Sequence, residues 1–150
     1  MKELLKKLSI TDDNKASIFL RISFAVMMIP HGAGKLFGIW GGFGFEKTLH
    51  HFTENLAVPL VFAVLAILVE FFSAIAILVG YQTRINAFLL AVVMFVAGLM
   101  HLKHGFYMNW FGQKAGEGFE FHIIAVGMML ALAVLGGGKY SLDRKMNGKG

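Results

Sequence analysis

The sequence predicts an all-α fold, a bundle of four membrane-spanning helices, and three observations point to it. Of 150 residues, 57% are hydrophobic and only 15% charged, whereas soluble domains sit nearer half and a quarter. Mean hydropathy is +0.66. The apolar residues gather into four long runs, 16–37, 58–79, 85–101 and 119–135, each approaching the ~20 residues a helix needs to cross hydrocarbon. One compact unit is expected, a membrane domain over 16–138 flanked by tails 1–15 and 139–150.

In the first tail, Leu4, Leu5, Leu8 and Ile10 alternate with lysines, the pattern of a short interfacial helix. Asp12 and Asp13 suit the N-cap and first turn of the first span, where free N–H groups favour anions. Lysines ahead of an apolar run also suit a secretory signal, but Arg21 interrupts the run and three further spans follow. Pro30, Gly32 and Gly34 should loosen the far part of that helix. The loop 38–57 then sets Phe45, Leu49, Phe52 and Leu56 at helical spacing, with Glu46, Lys47, His50, His51 and Glu54 opposite. This predicts an interfacial amphipathic helix in the first outer loop.

The second span surrounds Glu70 with Ala63, Ala66, Ile67, Ser73, Ala74 and Ile77, small residues among them that let helices approach. The third carries an inward seam of Ala87, Ala91, Met94, Gly98, His101 and Gly105. Phe106, Tyr107, Trp110 and Phe111 follow as an aromatic belt at headgroup depth. On the fourth span Glu120 shares a face with Gly127, read as a contact position, and His122 points elsewhere. Gly136, Gly137 and Gly138 stop that helix. They lack the frame of a phosphate-binding loop.

The net charge of +5 sits at the ends of the apolar runs, which suits anionic lipid headgroups rather than nucleic acid. Lys2, Lys6, Lys7, Lys15, Arg84, Lys139, Arg144, Lys145 and Lys149 fall on one side. The two long loops hold only Lys47, Lys103 and Lys114. Both termini and the turn at 80–84 are therefore expected in the cytoplasm. With no cysteine, disulfides, iron–sulfur clusters, covalently attached haem and thiol relays on this chain are excluded.

Ionisable groups at membrane depth are expensive unless paired or hydrated, so each is a candidate site residue. Glu70 lies ~15 Å deep at 1.5 Å per residue, and Arg21 is near the same surface. Either they form a buried charge pair that sets packing, or Glu70 is a proton-carrying or ligand-binding carboxylate. His31, Lys35, His101, His104, Glu120 and His122 converge near the outer level. Such a cluster suits a ligand site or a hydrogen-bonded network at the water interface. A quinone head, or haem b between His31 and His101, are the candidate ligands. A metal centre is not expected, since His101 and His104 at i, i+3 is a common spacing and no paired Glu-x-x-His motif occurs.

Arg21, His31-Gly32-Ala33-Gly34-Lys35-Leu36-Phe37-Gly38, Glu70 and Gly80-Tyr81-Gln82-Thr83-Arg84 form an ordered set of motifs. Gly105-Phe106-Tyr107-Met108-Asn109-Trp110-Phe111-Gly112, Gly116-Glu117-Gly118-Phe119-Glu120-Phe121-His122 and Tyr140-Ser141-Leu142-Asp143 continue it. The set resembles the DoxX family of small bacterial membrane proteins. The resemblance implies a four-span bundle in the bacterial cytoplasmic membrane and a link to membrane redox systems, one relative being a subunit of a thiosulfate:quinone oxidoreductase. It carries over no catalytic residue, only the positions Arg21, His31, Lys35, Glu70, Glu120 and His122. The function expected is a redox component binding a quinone-type ligand near the outer face. The alternatives are a non-enzymatic anchor for a soluble oxidoreductase and a bis-histidine haem protein. Candidate partners are the lipid bilayer, a soluble or membrane redox enzyme and a second copy of the chain.

Overall fold

The computed structural model describes Glu3 and residues 7–148, and the regular structure among them is helical throughout. Helix α1 spans Ala16–Phe37. Helix α2, Gly44–His50, runs on through a π turn at His51–Asn55. Helix α3 spans Leu60–Val79, with a π turn at Val69–Ser73 inside it. Helix α4, Thr83–His101, ends in a 3-10 turn at Leu102–His104. Helix α5 is Glu120–Leu135 and α6 the short Leu142–Met146. The interfacial helix expected around Leu4 and Leu5 falls largely outside the described residues.

Three helices, α1, α3 and α4 with its 3-10 turn, are long and apolar enough to cross a membrane, at 22, 20 and 22 residues. Helix α5 is equally apolar but has 16 residues, about 24 Å at 1.5 Å each. These four helices enclose one core. Phe24 and Met28 of α1 meet Ala74 and Ile77 of α3, Ala87, Leu90 and Met94 of α4, and Ala125, Met129 and Leu132 of α5. Large apolar side chains also cover the outside, among them Phe19, Val26, Phe62, Phe88, Phe95 and Ile124. An apolar exterior is what a bilayer requires, since helices there satisfy their own backbone.

Several local expectations change. The cap of α1 comes from Asn14, whose Oδ1 accepts from the Ser17 N–H at 2.9 Å; Asp13 instead pairs with Arg144. Helix α1 runs unbroken through Pro30. Its glycines serve close approach: a methyl group at Gly32 would sit 2.7 Å from the Phe71 Cα, and one at Gly34 3.2 Å from the Gly42 Cα. On α5 the faces are reversed. Ala125, Met129 and Leu132 are buried, and His122 lies one turn ahead of Ala125 on that same stripe. A methyl group at Gly127 would meet nothing within 4 Å. Packing chose the stripe carrying larger apolar volume over the one carrying the small residue.

The contacts sort the chain into two ends. At one, Lys139 N–H donates to the Asn14 carbonyl and Asp143 N–H to the Gly80 carbonyl, gathering both terminal segments and the turn before α4. At the other, the Phe119 and Glu120 N–H groups donate to the Gly105 and Phe106 carbonyls and close the base of the loop between α4 and α5.

Candidate functional site

Glu70 occupies the π turn of α3 and is 2% exposed. It shares the buried face with Ala63, Ile67, Ser73, Ala74 and Ile77, as its helical spacing requires. A π turn widens the helix and re-aims the side chains on it, a feature frequent at functional sites. Because Gly32 lets α1 lie against the α3 backbone at Phe71, Lys35, three residues on, reaches the carboxylate. Its Nζ lies 2.7 Å from Oε1 and 2.6 Å from Oε2. The Lys35 side chain is 32% exposed and that of Glu70 3%. The pair therefore joins a buried carboxylate to a lysine whose side chain is partly exposed. The Phe52 ring stands 5.6 Å from that ammonium, adding a cation–π contact from the helical loop.

Arg21 and Glu70 are both buried but take separate partners, which corrects the expected pairing. Arg21 donates from Nε to the Ile77 carbonyl, from Nη1 to Gly137 and Tyr140, and from Nη2 to Leu78, at 2.7–2.9 Å. Ile77 is seven residues beyond Glu70, roughly 10 Å along the helix. The axial offset is larger than side-chain reach closes once closer acceptors are present.

The histidines divide. His101 and His122 stack with ring centroids 4.8 Å apart, and the His101 Nδ1 lies 2.9 Å from the Glu117 carbonyl oxygen. Gly98 makes room for His122, whose Cβ would lie 3.0 Å from a methyl group there. The His122 Nδ1 is buried without a well-formed hydrogen bond. His104 packs on Gly116 and lies 6.2 Å from His101.

His31 is exposed and lines a shallow recess with Pro30, Gly34, Trp40, Gly41 and Gly42. His31 and His101 thus have separate surroundings. Glu120 accepts from the Met108 N–H at 2.9 Å and so shapes the loop, as Glu117 does through the Asn109 N–H at 2.7 Å. Among the described residues no three histidines or carboxylates form a metal-holding group.

Arg21, His31, Lys35, Glu70 and His101 all lie within residues 16–103, the stretch matched by the DoxX family model. The chain belongs to the DoxX family. This DoxX chain is also 32% identical over 130 residues to the "Inner membrane protein YqjF" of Escherichia coli (strain K12), covering 86% of the chain and 90% of that protein. No solved structure gives a significant match to it. Glu120, His122 and Asp143 lie beyond the matched DoxX region.

Proposed function

We propose that this DoxX protein is an inner-membrane component of a redox system that holds a quinone-type ligand at the loop end. The Lys35–Glu70 pair and the His101–His122 stack stand beside it. The observation that carries the reading is the ion pair: a buried carboxylate at membrane depth holding a lysine whose side chain is 32% exposed. A quinone carbonyl needs such a donor. The neighbouring histidines offer the second polar contact, exposed aromatics such as Trp40 and Phe43 suit the ring, and the apolar exterior suits an isoprenoid tail. The chain contributes donors, orientation and a dry setting; a partner redox enzyme contributes the electrons.

In this reading α5 is the fourth span, its shortness taken up by local bilayer thinning or by the loop before it. Both termini face the cytoplasm by the lysine and arginine asymmetry. Helix α2 lies in the outer interface, with Glu46, Lys47, His50 and Glu54 exposed and Phe45, Leu49 and Phe52 half-buried. The inner membrane as its location draws on the name of the YqjF relative.

The test is titration of the detergent-purified protein with short-tail ubiquinone and menaquinone, followed by quenching of Trp40 and Trp110 fluorescence. Saturable binding is expected, weakened on the order of tenfold by Lys35→Met, as loss of a charge-assisted hydrogen bond implies. Binding unchanged in Lys35→Met would discard this site, and no saturable binding would discard the ligand class. A second reading, an anchor that grips a soluble redox enzyme, is favoured by Tyr107, Trp110 and Phe111, exposed at 68%, 77% and 88%. Loss of a soluble oxidoreductase from membrane pull-downs after alanine replacement of these three residues would support it.

A further inference from the structure

The opposite end of the bundle holds a second concentration of buried polar groups that the ligand reading does not use. The end of α3 and the start of α4 are joined by Gly80, Tyr81 and Gln82, and Gln82 adopts a left-handed conformation at φ 44. Its side chain makes no cap for α4, whose first N–H groups need acceptors. Those acceptors come from 60 residues further along. Asp143, 1% exposed, takes the Gln82 N–H on Oδ1 at 2.7 Å, and the Thr83 N–H and hydroxyl on Oδ2 at 2.8 and 2.7 Å. A carboxylate at a helix N-terminus also meets the positive end of its dipole.

The same segment completes Arg21. Two of its four carbonyl partners, Gly137 and Tyr140, lie after α5, and the other two, Ile77 and Leu78, end α3. The fit is too close for side chains: a methyl group at Gly80 would stand 2.5 Å from the Ser141 Cβ, and one at Gly137 2.6 Å from it. Further bonds reach the first terminal segment, with the Gly138 N–H donating to Thr11 Oγ1 at 2.7 Å and Asn147 Nδ2 to the Ser9 carbonyl at 3.1 Å.

We infer that residues 136–147 are a closing strap, which caps α4 through Asp143 and satisfies Arg21 of α1, so that the ends of α1, α3, α4 and α5 open only together with it. During synthesis Arg21 enters the membrane well before Gly137 and Tyr140 exist. The buried cation therefore gains its full set of acceptors only when the strap docks. The strap fixes this end of the bundle and leaves the loop end as the one that can rearrange. The inference does not depend on any ligand.

Native-state hydrogen exchange on the detergent-solubilised full chain tests it. In the unaltered protein, amides of 80–83 and 137–143 should respond to rising denaturant with one common opening. Separate openings for the two segments would overturn the strap. Asp143→Asn, nearly isosteric, should raise exchange at Gln82 and Thr83 on the order of tenfold, the weight of a lost charged acceptor, and leave amides of 98–101 and 67–71 unchanged. Unchanged exchange at Gln82 and Thr83, or an equal rise at both ends, would equally overturn it. If Asp143→Asn does not fold, the measurement on the unaltered chain still decides.

Discussion

Removing the Lys35 ammonium leaves the Glu70 carboxyl group 2% exposed and without its cation. Breaking a fully buried pair from one side costs about 3–5 kcal/mol. Here the Lys35 side chain is 32% exposed, so the pair is only partly desolvated, and the expected loss for Lys35→Met is about 2 kcal/mol. Glu70→Leu alone strands the ammonium, which turns toward water more easily, so it should cost less, about 1 kcal/mol. The double variant Lys35→Met, Glu70→Leu removes both charges together and should unfold within about 1 kcal/mol of the unaltered protein. The cycle then returns a coupling of about 2–4 kcal/mol, above the ~0.6 kcal/mol average for polar pairs between membrane helices. Circular dichroism during denaturant titration in mixed micelles measures each corner. A coupling under about 0.5 kcal/mol would refute the pair. The parallel cycle of Arg21→Met with Glu70→Leu is the control. Those residues share no contact, so their effects should add to within about 0.5 kcal/mol.

Two other sets of variants check the packing. Gly32→Ala drives a methyl group to 2.7 Å from the α3 backbone and should destabilise by about 1–3 kcal/mol, with weaker Lys35–Glu70 coupling as α1 moves away. Gly127→Ala fills open space and should stabilise α5 by about 0.5–1 kcal/mol, read as a higher thermal midpoint; destabilisation there would mean that this face is covered. Arg21→Met removes a donor from four carbonyl groups, of which Ile77 keeps the Gly80 N–H at 3.1 Å, and should cost about 3 kcal/mol or more, most visibly as a fall in folded yield from membranes.

Much of the fold was legible because membrane helices announce themselves by length. The run 16–37 became α1 residue for residue; of the expected inward seam Ala87, Ala91 and Met94 are buried and Gly98 and His101 half-buried, since one helix's own periodicity carries that information, while Gly105, past the end of α4, is exposed. Glu70 was legible as buried for the same reason. The assignment of α5's inner face failed on the premise that the small residue marks the contact. Ala125, Met129 and Leu132 outweighed Gly127, and His122 came inward with them. Asp143 stood in a recognisable motif, Tyr140-Ser141-Leu142-Asp143, yet its role was invisible. A cap supplied 60 residues away leaves no local pattern, and Gln82 gives no hint that it needs one.

From sequence alone follow the apolar helices, the burial of Arg21 and Glu70, and the grouping of both terminal segments at one end. These depend on hydrophobicity, on the period of a single helix and, for the terminal segments, on where the lysines and arginines fall. The tertiary structure decided who meets whom: Lys35 rather than Arg21 for Glu70, backbone carbonyls for Arg21, His122 for His101, and Asp143 for the start of α4. Partner choice depends on how far each helix slides and rotates against its neighbours, and that is set by where glycines admit close approach and where bulk must be filled. Those quantities belong to pairs of helices, and no stretch of one chain segment encodes them by itself.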